Sequence, residues 1–268
     1  MSKRKVEKSV SGTKEWASHN ENCISGCIND CRYCYAKAMA VRFGRKTADT
    51  WKNEILDHGK LVKRFKKKQG RFMFPTTHDI TPENLDHCLP FLENILKAGN
   101  HVLVVSKPHF DCITAICAKL GNYRQQILFR FTIGSADNNT LRYWDQHAPG
   151  FVERLESLIY AYRSGYATSA SCEPLLDNNA DVLINRLLPY VTDSIWVGKM
   201  NRILSNLIMN GHSDQETIHR AKHLRDSLSD EYIMDLYNRY KDNPHVKWKE
   251  SIKKVVGIEI PVEAGLDI

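Results

Sequence analysis

The sequence predicts an α/β protein: a partial (β/α)6 barrel of TIM type with parallel strands, followed by a helical C-terminal extension. Three observations predict it. From Phe72 onward, short apolar runs alternate with amphipathic segments of helical length, the pattern of βαβ units whose strands pair in parallel through right-handed crossovers. Each run gives way to a polar turn. The units number about six, fewer than the eight that close a full barrel, so the sheet is expected to stay open.

In chain order, residues 1–20 are polar and basic and read as a loose arm. A first strand is expected on the approach to Cys23. After Cys34, AKAMAVRFGRK reads as helix, and TWKNEILDHGKLVKRFKKK continues with Trp51, Ile55, Leu56 and Leu61 on a helical period. The next strands are RFMFPTT, HVLVVSK, ILFRFTIGS, YATSASCEP and SIWVGKMN. Between them TPENLDHCLPFLENILKAG, FDCITAICAKLG, APGFVERLESLIYAYRSG and NADVLINRLLPYVT read as helices, several with Asp, Asn or Thr near the start and Gly or Asn near the end. From residue 211 the pattern turns polar and helical. This divides the chain into an arm (1–20), a barrel (21–210) and a mostly helical cap (211–268).

The 268 residues suffice for one large domain with a buried core, and 42% hydrophobic with 26% charged residues is ordinary for a soluble globular chain. No apolar run approaches the length of a membrane span, so no membrane partner is expected. The basic N-terminus lacks the apolar stretch of a secretory signal, which leads to the expectation of a cytoplasmic protein. Eight cysteines in such a chain point to metal, catalytic or buried thiols rather than to a disulfide framework. The net charge of +7 suits a polyanionic partner, although a solvated surface carries such a surplus equally well.

Cys27, Cys31 and Cys34 lie in the segment CINDCRYC. Three thiolates on one short loop suit three irons of a cubane 4Fe-4S cluster, leaving the fourth iron without a protein ligand. The competing reading is structural zinc, which needs a fourth ligand such as Cys23 or His19. Structural zinc usually takes two paired half-sites, and no second one follows.

The phrase GCINDCRYCYAKAMA, with Tyr33 before the third cysteine, Gly26 ahead of the first and Tyr35 after the last, resembles the radical S-adenosylmethionine (SAM) superfamily. Together with APGFVERLESLIYAYRSGYATSASCEP, it resembles the branch that includes spore photoproduct lyase, over roughly residues 20 to 210. The resemblance implies that the open iron chelates the amino and carboxylate groups of SAM. Reduction of the sulfonium then yields methionine and a 5'-deoxyadenosyl radical. It also implies that the Tyr33 ring lies near the adenine, and that an electron donor such as flavodoxin or ferredoxin is a partner. Three functions follow as alternatives: radical chemistry on nucleic acid or a nucleotide lesion, the same chemistry on a peptide or protein, or a non-catalytic, metal-stapled nucleic-acid-binding protein.

In a parallel barrel, ligands meet the C-terminal ends of the strands, which selects the remaining candidates. After RFMF the superfamily often carries Gly-Gly-Glu for the methionine amino group. Here Thr76, Thr77, His78 and Asp79 stand instead, either as cofactor contacts or as a cap for the next helix. Ser106 and Lys107 follow the next strand, where Lys107 would hold a carboxylate or phosphate or simply be solvated. Arg130 lies inside an apolar run, so it must face a partner: a ligand carboxylate or an internal salt bridge. Ser135 occupies a place where the superfamily often contacts the ribose or methionine. Glu173 resembles a residue that positions the SAM amino group, with Ser169, Ser171 and Cys172 beside it. The resemblance to the lyase branch makes Cys172 a candidate hydrogen-atom donor, against the reading of a small buried thiol. Gly198, Lys199, Met200 and Asn201 follow the sixth run as adenine-side candidates. Cys23, Cys88, Cys112 and Cys117 form no second cluster motif, and Cys112 and Cys117 fall in a core pattern. Lys63, Arg64, Lys66, Lys67, Lys68 and Arg71 surround Phe65, as a phosphate-backbone patch or as the charged face of a surface helix.

Overall fold

A computed structural model describes residues 10–267. Its strands are β1 (His19–Asn20), β2 (Ile24–Ser25), β3 (Ile55–Leu56), β4 (Arg71–Phe74), β5 (His101–Ser106), β6 (Ile127–Thr132), β7 (Ala167–Cys172), β8 (Ile195–Val197) and β9 (Val246–Trp248). Seven of them form one sheet in the order β1-β4-β5-β6-β7-β8-β9, every neighbouring pair parallel, while β2 and β3 make a small antiparallel ladder. The sheet has two open edges. This is the partial barrel that the alternating runs predict, with β1 on the approach to Cys23.

Side-chain alternation along the strands divides the interior in two. Phe72, Phe74, Val102, Val104, Phe129, Phe131, Ala170, Cys172, Ile195 and Val197 face the large core that also takes in the helices. The principal helices of that layer are Leu85–Lys97, Phe110–Lys119, Phe151–Arg163 and Ala180–Leu187, close to the segments expected. Met73, Leu103, Leu128 and Trp196 point into the lumen and pack with Trp16 and Ala17. The two indoles meet edge to face with centroids 5.9 Å apart.

Three expectations are revised. Residues 1–9 of the expected arm lie outside the described residues, but the rest is not a loose arm: Trp16 is inserted into the barrel, and the Val10 N–H donates to Pro261 O at 2.9 Å. Burying roughly 200 Å² of indole at about 25 cal/mol per Å² contributes on the order of 5 kcal/mol, which offsets the ordering of several residues. The long helix expected from Trp51 onward is replaced by β3, the short helix His58–Leu61 and irregular chain, because Ile55 and Leu56 pair with β2 and Asp57 starts the helix afresh by accepting from the Lys60 N–H at 3.0 Å. The C-terminal segment is helical over Gln215–Ser227, Asp230–Tyr240 and Glu250–Val256, yet it also supplies β9 as a seventh strand of the sheet.

Candidate active site

At the C-terminal ends of the strands the lumen opens into a cavity of about 1180 Å³. Cys27, Cys31 and Cys34 line it together with the polar residues past β4, β5 and β7. The loop that carries the cysteines is held by its backbone. Gly26 sits at φ +103°, and a Cβ there would lie 2.6 Å from Trp51 O, so the position needs glycine. Cys27 N–H donates to Trp51 O at 3.1 Å, and Arg32 N–H to Trp144 O at 3.0 Å. The Asn210 amide donates to Arg32 O at 2.9 Å and Cys34 O at 3.0 Å. Asp30, at φ +40°, is fixed by Lys37 Nζ at 2.7 Å.

With the loop fixed this way, the sulfurs are left for other work. Backbone N–H groups of Asn29 and of Ala36 and Lys37 point at Cys27 and Cys34 respectively, a surround that stabilises thiolates bound to metal. Burial pushes all three thiols up, and Cys34 further raises Cys27 and Cys31, so metal binding here releases protons. Among the described residues, the group that gathers its donor atoms within 4.8 Å, the spacing for a single ion, is a different one, Cys23, His78 and Cys88. Three thiolates on one short loop suit a three-cysteine cluster, whereas structural zinc takes four protein ligands. Neither alternative fourth ligand joins it: His19 bonds Gln69 O at 2.9 Å and packs on Phe72, and Cys23 is buried beside Cys88.

Tyr33 lines the cavity, and its hydroxyl donates to Asp145 Oδ1 at 2.6 Å. Asp145 pairs at 2.9 Å with Arg154, and both side chains are essentially inaccessible. Burial alone would raise the Asp145 carboxyl, but Lys107 and Arg154 outweigh it and hold it below the ordinary range. The Lys107 ammonium lies 5.8 Å from the Tyr33 ring centroid, inside the cavity. Burial would lower it, and the acidic groups of Cys31, Tyr33, Asp145 and Asp79 raise it instead, so it is a permanent cation beside the cysteines.

Thr76, Thr77, His78 and Asp79 all line the cavity. Asn22 Oδ1 accepts from the N–H groups of Thr76 and Thr77 at 2.7 and 2.9 Å, so those two donors are already occupied. Asp79 is saturated: it takes the Ser106 hydroxyl, the Lys107 N–H at 3.0 Å, the Ile80 N–H at 2.9 Å and the Asn29 amide at 3.0 Å. It ties the β4 end to the β5 end and to the cysteine loop.

Glu173 lines the opposite wall. Burial raises its carboxyl while Lys249, 3.5 Å away, opposes the rise; Lys249 is already paired with Glu15 at 2.7 Å. Gly198 lies behind this group, where a Cβ would come within 2.8 Å of Glu173 Cγ and 2.9 Å of Lys249 Cβ. Its contribution is to let those side chains close up. Asn201 is on the cavity rim, with its amide donating to Glu250 Oε2 at 3.1 Å.

Besides Gly198, three candidates fall away from the cavity lining. Arg130 faces the lumen nearer the other end, where Asp267 at 2.9 Å, Asp193 at 3.3 Å and Ser169 at 2.8 Å consume its guanidinium in an internal salt bridge. Ser135 donates to Asp177 and accepts the Asp137 N–H at 2.9 Å. Cys172 is fully buried on the outer face of β7, because the alternation that turns Ser169 and Ser171 inward turns Cys172 out. Four partners escaped the sequence reading. Arg154, Asn210 and Asn29 are far from CINDCRYC in sequence or look like loop filler, and Asp145 follows a helix as an ordinary terminus; the one available signal was an arginine inside the apolar pattern FVERLESL. In the basic segment, Phe65 packs on Phe72 and Phe91, Lys63 pairs with Glu21 and Arg71 with Asp267; residues 63–68 are irregular chain and Arg71 opens β4, so the segment is not the face of a helix.

No protein-family model and no curated protein matches the chain. Solved structures do. Spore photoproduct lyase complexed with dinucleoside spore photoproduct superposes with a TM-score of 0.56 at 14% identity, over 91% of this chain and 79% of the lyase. A variant of that lyase with bound AdoMet and dinucleoside spore photoproduct gives 0.55 at 15% identity over the same shares. SuiB of Streptococcus suis bound to S-adenosylmethionine gives 0.51 at 11% identity, over 89% of this chain and 52% of SuiB. At these identities the likeness establishes the fold alone, an open barrel of parallel strands. The particular lyase it reaches belongs to the branch that the cysteine segment resembles.

Proposed function

We propose that the chain is a radical SAM enzyme that holds a 4Fe-4S cluster on Cys27, Cys31 and Cys34 and acts on nucleic acid or a nucleotide lesion. The observation that carries the class is the trio of cysteines on the cavity wall, carried by one loop that is fixed through backbone bonds. When bound, cluster and SAM together supply reductive cleavage of the sulfonium to methionine and a 5'-deoxyadenosyl radical. The chain's own groups bind and orient. Glu173 offers a carboxylate whose ionisation a ligand ammonium favours, and Lys107 a fixed cation for a ligand carboxylate. Tyr33 is held in place through Asp145 and Arg154, which keeps its ring on the cavity wall. Val105, Thr132 and Ser171 floor the cavity and limit water.

The substrate reading rests on the rim. Lys14, Arg42 and Arg202 are exposed cations on the cavity lining, and helix Tyr35–Arg42 with its cap presents Tyr35, Met39 and Phe43 to solvent on one face. Cations beside exposed aromatics suit phosphodiesters with stacked bases. The lyase of similar fold was solved with a dinucleoside photoproduct. The test is anaerobic reconstitution with iron and sulfide, reduction, and assay for 5'-deoxyadenosine from SAM, followed by salt-dependent binding of single and double strands. The reading requires 5'-deoxyadenosine and a binding constant that falls steeply with salt and falls further when Arg42 and Arg202 become Gln. Salt-insensitive or absent binding would redirect the chemistry to a peptide.

A further inference from the structure

We propose that Cys23, His78 and Cys88 form a second metal site, a buried zinc site of Cys2His type separate from the three-cysteine loop. Their donor atoms lie within 4.8 Å of one another, although Cys23 precedes β2, His78 follows β4 and Cys88 sits in the first turn of helix Leu85–Lys97. The two sulfurs are 3.9 Å apart. A tetrahedral zinc at about 2.3 Å from each sulfur sets that edge at about 3.8 Å, whereas a disulfide would need about 2.05 Å.

The imidazole is prepared for the same role. His78 Nδ1 bonds Asp79 O at 2.9 Å, which assigns the proton to Nδ1 and leaves the lone pair on Nε2. Nε2 is buried and has no hydrogen-bond partner of acceptable geometry. His78 is 7% exposed, Cys23 0% and Cys88 1%, so water does not replace the missing partner easily. Asn84 stands beside the fourth position. Its oxygen accepts the Thr81 N–H at 3.0 Å and lies 3.3 Å from Cys88 Sγ with a second lone pair to offer, while its amide nitrogen is turned away to Glu54 at 3.0 Å and Asp79 O at 3.1 Å. Soft thiolates with an imidazole and an amide oxygen in a closed pocket select zinc over magnesium or calcium. The ion would staple the approach to the cysteine loop, the β4 end and the following helix at the place where Thr76–Asp79 replace Gly-Gly-Glu. Through Asp79 it would fix Lys107 and Asn29 on the cavity wall.

The site does not depend on the radical reading, and the experiment separates them. Full-length protein with Cys27→Ala, Cys31→Ala and Cys34→Ala is assayed for zinc and titrated with cobalt(II) alone. One equivalent of zinc is expected, and cobalt should give the visible bands of a tetrahedral site with thiolate charge transfer. Cys23→Ser and Cys88→Ser in that background should each abolish the bands, and Cys112→Ser, a buried thiol elsewhere, should retain them. Should a serine variant fail to fold, His78→Gln is expected to weaken cobalt binding by about tenfold or more. A folded protein that binds neither metal, a cobalt spectrum indifferent to Cys88→Ser, or a Cys23–Cys88 disulfide in anaerobically prepared protein would overturn the proposal.

Discussion

The two ends of the barrel lumen use the same kinds of residue to opposite effect. At the N-terminal end of the strands, Arg130 meets Asp267, Asp193, Ser169 and Ser194, stacks within 5.0 Å of the Trp16 ring and 5.6 Å of Trp196, and has every guanidinium nitrogen engaged. At the C-terminal end, Lys107 and Glu173 face a cavity, and the buried polar atoms Ser171 Oγ and Asn29 Oδ1 have no hydrogen-bond partner. A buried charge with all its partners is a structural joint. Polar atoms left open around a cavity are where a ligand gains most, because each is costly to bury alone.

The contrast predicts a graded series of effects. The largest is loss of chemistry: Cys31→Ala should remove the four-iron absorption and abolish 5'-deoxyadenosine, while the apo fold, read by circular dichroism, survives. Next comes a loss of stability without loss of chemistry. Arg130→Ala breaks a buried pair and should cost about 3 kcal/mol in denaturant unfolding, yet folded protein should still cleave SAM. Asp267→Asn should cost less and change the acid limb. Burial would raise the Asp267 carboxyl, but Arg130, Lys247 and Arg71 hold it low, so its contribution is present above the unfolded value of about 3.9 and is lost as pH falls below that through the folded value. Denaturation of the variant followed below about pH 4 should therefore show a shallower loss.

A smaller effect falls on ligand affinity. Glu173 has a raised carboxyl, so SAM binding should weaken on acidification at a pH above the ordinary glutamate value of about 4.3; Glu173→Gln should weaken binding by about tenfold and flatten that pH profile. Unchanged affinity in the variant would remove Glu173 from the site. The smallest effect is expected at Cys172. Cys172→Ala removes a thiol on the outer face of β7 and should leave 5'-deoxyadenosine formation intact, at a stability cost of about 1 kcal/mol.

The strands from RFMF to SIWV were legible because each is an apolar run between turn signals, and so was the open barrel, since too few units were present to close it. The strand β9 was not, because VKW is too short to stand out between a helix and KESIKKVV. The cysteine loop was legible because its chemistry is local, three ligands within eight residues. What holds it was not: Tyr33, Asp145 and Arg154 form one chain of contacts across 121 residues, and no periodicity links them. Cys172 and Arg130 show the other failure. Period-2 alternation from Ser169 and Ser171 would have sent Cys172 outward, but the facing had to be fixed by one lumen residue first. Arg130 was rightly required to have a partner, and that partner arrives from Asp267, at the far end of the chain.

The central claim is that Cys27, Cys31 and Cys34 leave one iron open to SAM. It is tested most directly by electron paramagnetic resonance of the reconstituted, reduced protein with and without SAM. The account predicts a reduced four-iron signal whose g-values shift on adding SAM, accompanied by 5'-deoxyadenosine. A fully formed four-iron cluster whose spectrum ignores SAM, with no 5'-deoxyadenosine produced, would contradict it.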